Sequence, residues 1–148
     1  MNSKRLDPLI RRAETREDAL ARALAQKVQT HQQHEKRLDD LERYRGEYEA
    51  PPTPNVAVTP GQLLNRVAFL AKIDGAVSAQ QKHLASSEEA LAIERTRLLL
   101  ASRDKRVLEK LAASYRVAEQ KVQERRDQGV LDDLGARAHR KRHLEGKQ

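Results

Sequence analysis

The sequence predicts an all-α protein: a long antiparallel two-helix coiled-coil hairpin in which the second helix overhangs the first. Three observations lead there. Apolar residues recur seven apart as Leu63, Leu70, Val77, Leu84, Leu91 and Leu98, and no proline follows Pro60 to interrupt a helix. A helical periodicity also fills the residues before position 50, and between the two lies APPTPNVAV (Ala50 to Val58), whose three prolines remove backbone donors and hold the chain extended. The 148 residues are 34% charged and only 3% aromatic, with one Phe and no Trp. That is too little bulky apolar material for a layered core, and it suits long helices of Ala, Glu, Lys, Leu and Arg. The whole chain, 1–148, therefore reads as one coiled-coil rod.

The first element follows a short basic lead-in from Met1 to Leu6. Asp7 can cap free amides and Pro8 suits a first helical position, so helix 1 is expected from about 8 to 49. Spacing of three and four marks its seam as Ile10, Ala13, Glu17, Leu20, Leu24, Lys27, His31, His34, Leu38, Leu41, Arg45 and Tyr48. The stretch from Lys27 to His34 is its polar, weak centre. A Pro-rich turn over 50–59 then reverses the chain.

Helix 2 is expected from about 60 to 128. Thr59 caps it, Pro60 supplies the pre-set first-turn φ, and Gln62 can return a capping-box bond. A second row, Ile73, Ala101, Leu108, Tyr115 and Val122, interleaves with the leucines but is broken by Arg66, Gln80, Ser87 and Glu94. A helix of roughly 70 residues would span about 105 Å, too long to wrap one globular core. Gly129 is the expected break, with a further short turn at Leu131 to Leu134 and a frayed basic tail completing 129–148.

A short turn places Tyr48 near Leu63, Leu41 near Leu70, His34 near Val77 and Ile10 near Ala101, so helix 1 should run out opposite Arg103. Beyond that point Leu108, Leu111, Tyr115, Ala118 and Val122 would keep an apolar seam with no intramolecular partner. Leaving such side chains in water forgoes about 1.5 to 3 kcal/mol each, which points to another protein covering them.

Catalytic and cofactor chemistry finds little footing. The glycines are scattered singly, with no phosphate-binding loop, and the absence of cysteine removes disulfides, thiolate nucleophiles and thiolate zinc sites. His31 with His34, and His139 with His143, have ligand-like spacing but no evident third ligand, so the plain reading is solvated or seam histidines and no metal site. No cofactor is expected. The first 26 residues hold no apolar run like a signal peptide, and no stretch approaches 18 consecutive apolar residues. With 29 basic against 22 acidic residues the net charge is +7. An acidic protein surface, a nucleic acid or an anionic membrane would each suit that charge, though base-stacking aromatics are nearly absent. A basic nucleic-acid binder and a self-assembling scaffold are the alternative functions.

Two clusters are candidate contact surfaces. Arg11, Arg12, Arg16, Arg125 and Arg126 gather basic charge near Leu108, Leu111, Tyr115 and Val122, as either a solvated face or a docking end. Tyr44, Tyr48 and Phe69 flank the turn, where they either plug the hairpin end or form a second contact surface.

The order and spacing of LDPLIRRAETREDALA, RLDDLERYRGEY, LLNRVAFLAKIDGAV, ERTRLLLASRDKRVLEKLAASYR and RRDQGVLDDLGAR resemble the flagellar type III export protein FliJ family over nearly the whole chain. The resemblance implies a non-enzymatic antiparallel coiled coil, similar to the central stalk of rotary ATP synthases. The implied partners are the hexameric flagellar export ATPase, the export gate protein FlhA and export chaperones. The implied location is the cytoplasm, at the cytoplasmic face of the inner membrane through the gate, with no membrane insertion and no nucleic acid. On that reading Arg11, Arg12, Arg16, Leu108, Leu111, Tyr115, Val122, Arg125 and Arg126 meet the ATPase, and Tyr44, Tyr48 and Phe69 meet the gate.

Overall fold

The computed structural model describes residues 2–50 and 57–147, and every regular element among them is helical. A 3₁₀ turn, Ser3–Arg5, precedes α1 (Asp7–Glu49, 43 residues) and α2 (Pro60–Glu145, 86 residues). The all-α class expected from the sequence is the one observed. Most of the expected Pro-rich turn, residues 51–56, lies outside the described residues. Contacts divide the chain into unit 1 (Met1–Arg16 with Ala101–Gln148) and unit 2 (Glu17–Leu100).

In unit 2, α1 and α2 pack antiparallel. Thr59 and Gln62 form the reciprocal capping box: Gln62 N–H donates to Thr59 Oγ1 (3.2 Å) and Thr59 N–H to Gln62 Oε1 (3.1 Å). The covered positions of α2 step by three and four through Ile73, Val77, Gln80, Leu84, Ser87, Leu91, Glu94 and Leu98, with Ile73, Val77, Gln80 and Leu91 buried. The polar members of the second row thus sit in the seam rather than outside it. On α1 the half-buried set includes Leu20, Leu24, Val28, His31, His34, Leu38 and Leu41; Val28 takes the place predicted for Lys27, which stays in solvent.

The register differs from the one a short turn predicts. Tyr48 packs on Phe69, not Leu63, with ring centroids 4.5 Å apart, and His34 meets Gln80 and His83, not Val77. Polar satisfaction explains the shift. A ring facing Val77 would lack a polar partner, whereas the observed register pairs the seam's imidazoles with an amide and a hydroxyl. The first turn of α2 consequently runs past the end of α1, leaving Leu63 and Leu64 exposed. From there Arg66 reaches back, its Nε donating to the Tyr48 carbonyl (2.7 Å) and its Nη2 to that of Ala50. The residue that seemed to break the apolar row caps the end of α1 instead. Arg45 Nε adds an inter-helix ion pair to Asp74 (2.8 Å).

In unit 1 the lead-in is helical, which corrects the expected cap. The Asn2 side chain accepts from Lys4 N–H (3.1 Å), Leu6 N–H bonds the Ser3 carbonyl (3.0 Å), and the Leu6 carbonyl accepts from Ile10 N–H (2.9 Å). Asp7 is the first helical residue, not the cap. Ser3 and Leu6 are buried, and so are Ala101 and Ala112, the latter only 1% exposed. Pairing does not end opposite Arg103: Ser3 donates to Glu119 from its backbone N–H (2.7 Å) and its hydroxyl (2.8 Å). The heptad row from Leu63 to Leu98 therefore continues through Lys105, Ala112 and Glu119.

Gly129 does not break α2. Among the described residues no glycine has positive φ, so the left-handed cap that would end a helix there never forms. A lone glycine costs a helix only about 1 kcal/mol relative to alanine. The tail read as frayed is helical to Glu145, and Gly146 N–H bonds the Arg142 carbonyl (3.0 Å) at the end. Arg142 and His143 lie in the last turn, where positive charge suits the helix dipole.

Candidate partner-docking surfaces

All nine residues predicted for the first contact surface fall within unit 1. Their roles differ. Arg12, Arg16 and Leu108 line an open groove with Leu9, Ala13, Ala101 and Asp104. Arg11 lines another with Asp7, Ile10, Glu14, Glu109, Ala112 and Arg116. Tyr115, Val122 and Arg126 line a third beside Asn2, Lys4, Ala118, Glu119 and Gln123. Leu111 and Arg125 stand on the exposed surface.

The predicted unpaired seam is corrected in its first half. Leu108 and Tyr115 are half-buried under the start of α1, because the lead-in coils and extends the pairing to Glu119. Every described residue of α2 after Glu119 is exposed, and there the bare apolar side chains are Val122, Val130, Leu131, Leu134 and Leu144. Sequence reasoning assigned Leu131 and Leu134 to a detached turn; the three-then-four spacing of Leu131, Leu134 and Ala138 is the signal that they belong to one helical stripe. Arg137, Arg140, Lys141 and Arg142 follow on the same helix.

Two contacts brace the base of this segment. The Glu119 carboxyl is lowered from its ordinary value, first by the Ser3 backbone N–H, then by the Ser3 hydroxyl, with a smaller contribution from the Lys4 ammonium. Arg116 lies 3.6 Å from the Asp7 carboxylate. Neither Ser3 nor Glu119 stood out in the sequence, since a serine and a glutamate 116 residues apart carry no local pattern.

The second predicted surface lies in unit 2. Tyr48 and Phe69 pack at an interplanar angle of 49° and line a groove with Glu47, Gln62, Asn65 and Arg66. Tyr44 is 53% exposed and stands outside that groove. The histidines part ways: His31 and His34 join the seam, while His139 and His143 are exposed. Among the described residues no cluster of three or more His, Cys, Asp or Glu could hold a metal ion, and no helix is long and apolar enough to cross a membrane.

Residues 2–144 match the family described as Flagellar FliJ protein. The chain belongs to the flagellar FliJ family. As such it is a non-enzymatic, cytoplasmic component of the flagellar export apparatus. No curated protein and no solved structure gives a match.

Proposed function

We propose that this FliJ family member acts as a stalk-like adaptor: unit 1 binds the hexameric export ATPase and promotes its assembly and activity, and unit 2 contacts the export gate FlhA and export chaperones. The observation that carries the first half is the bare segment after Glu119. There α2 exposes Val122, Val130, Leu131 and Leu134 beside Arg125 and Arg126, with Leu144 further on beside Arg142. An amphipathic helix with apolar anchors at this spacing suits a groove on another protein, and the flanking positive charge suits an acidic rim. For unit 2, the support is the partly exposed Tyr48–Phe69 pair with Tyr44 nearby in sequence. Aromatic side chains of this kind anchor interfaces when covered.

The test mixes the full chain with its cognate export ATPase and measures affinity and ATP hydrolysis. Leu131→Ser with Leu134→Ser removes only exposed side chains, so the free protein should unfold normally while association weakens at least tenfold, about 1.4 kcal/mol. Arg125→Glu with Arg126→Glu should mainly slow association and reduce its salt dependence. Unchanged binding in both variants would remove the segment after Glu119 from the interface.

A further inference from the structure

Neither the docking surfaces nor the apolar seam explain the middle of the unit 2 pair, which carries three histidines. His31 and His34 lie on α1, His83 on α2. The His34 and His83 rings stack with centroids 6.0 Å apart and planes 11° from parallel. Gln80, only 8% exposed, places Nε2 3.0 Å from the His34 backbone carbonyl and 3.1 Å from His34 Nδ1.

A carbonyl oxygen only accepts, so that contact identifies the NH₂ end of the amide; reversing it would set two oxygens against each other. The second hydrogen of the same NH₂ then meets Nδ1, which must accept. That contact therefore fits the neutral ring with its proton on Nε2. His31 is bound differently. Its Nε2 lies 2.9 Å from Glu35 Oε1 and its Nδ1 3.1 Å from Ser87 Oγ, a hydroxyl able to give or take a hydrogen. His31 fits its site in either charge state, and His34 fits in one.

We propose that the His34–Gln80–His83 layer is a pH-gated lock on the unit 2 helix pair, closed while His34 is neutral and loosened when it is protonated. A proton on Nδ1 would turn an N–H toward the Gln80 NH₂ and put positive charge on a ring stacked against His83. Protonating His83 as well sets two like charges face to face. On α1 the nearest carboxylate in sequence, Glu35, is engaged by His31, and the neighbouring Lys36 and Arg37 are cationic. On α2 the flanking charged residues are Lys82, also cationic, and Glu88, five residues beyond His83. His83 is exposed, so protons reach the layer from solvent.

The sign follows from which form binds the proton. A proton on Nδ1 removes the acceptor that the Gln80 NH₂ meets, so the closed pair is favoured while the ring is neutral and is weakened on acidification. A buried polar layer also specifies helix register, at a cost in stability relative to apolar packing. Slipping α2 by one turn would leave Gln80 and His34 without partners.

The experiment measures thermal unfolding of the full chain at about pH 7.5 and about pH 5.5. The midpoint should fall by about 3 °C or more on acidification. His34→Leu with His83→Leu should abolish most of that fall, while His139→Gln with His143→Gln, in the exposed tail, should retain it. No fall in the native chain, or an equal fall in the His34→Leu, His83→Leu chain, would overturn the proposal. If that variant does not fold, nitrogen NMR of the native His34 ring decides. A bare Nδ1 at the higher pH that gains a proton as the pair loosens supports the lock, and a protonated Nδ1 in the closed pair refutes it.

Discussion

Truncating Leu91 to alanine tests the seam most directly, because Leu91 is the best-covered leucine of the heptad row, with 5% of its surface exposed. Leu91→Ala removes three carbon groups. At about 0.8 kcal/mol per buried group, loss of transfer energy alone is roughly 2 to 2.5 kcal/mol. A two-helix seam can close partly around the gap, so the added cavity cost should be small and the total about 2 to 3 kcal/mol. Leu70, on the same row but only half-buried, should lose roughly half as much when truncated. Leu64 supplies the control: it is one turn from the start of α2 and 71% exposed, so Leu64→Ala should stay within about 0.5 kcal/mol of the native chain. Denaturant unfolding followed by helical circular dichroism ranks the three. Equal destabilisation by Leu91→Ala and Leu64→Ala would show that the leucine row is not the buried seam and that the register described here is wrong.

Two further outcomes are expected from polar residues. Glu119→Gln should loosen the lead-in, since the amide oxygen cannot reproduce both bonds from Ser3; trypsin should cut after Lys4 or Arg5 several-fold faster while the global unfolding midpoint barely moves. The native contact has a defined pH sign. Its carboxyl is lowered from the ordinary 4.5, so the stabilisation is present above that value and is lost as pH falls through the lower folded value. Protection of residues 2–6 from cleavage or exchange should therefore begin to decline below pH 4.5 and disappear only below the lowered folded value, with the rest of the pair still helical. Glu94→Leu should raise stability by about 1 kcal/mol, because Glu94 Oε1 bonds Arg97 (3.1 Å) while its Oε2 is buried with no hydrogen-bond partner among the described residues. A drop on the same denaturation curve would mean that the carboxylate is satisfied after all.

The sequence by itself determined the helices, most of the seam and the family. Heptad spacing survives translation into structure because any face repeating every three to four residues must lie along one side of a helix, whatever it packs against. Thr59 and Gln62 were equally legible, since a capping box needs only residues three apart. Register was not, because each apolar row tolerates sliding past the other, and the choice fell to pairs of groups distant in the chain: His34 with Gln80, Tyr48 with Phe69, Arg66 with the last carbonyls of α1. The extent of the bare α2 segment was likewise a tertiary matter. Ser3, Leu6 and Glu119 carry no obvious local signal, yet the Ser3–Glu119 contact carries the pairing past Tyr115 and leaves Val122, Val130, Leu131, Leu134 and Leu144 beyond it facing solvent.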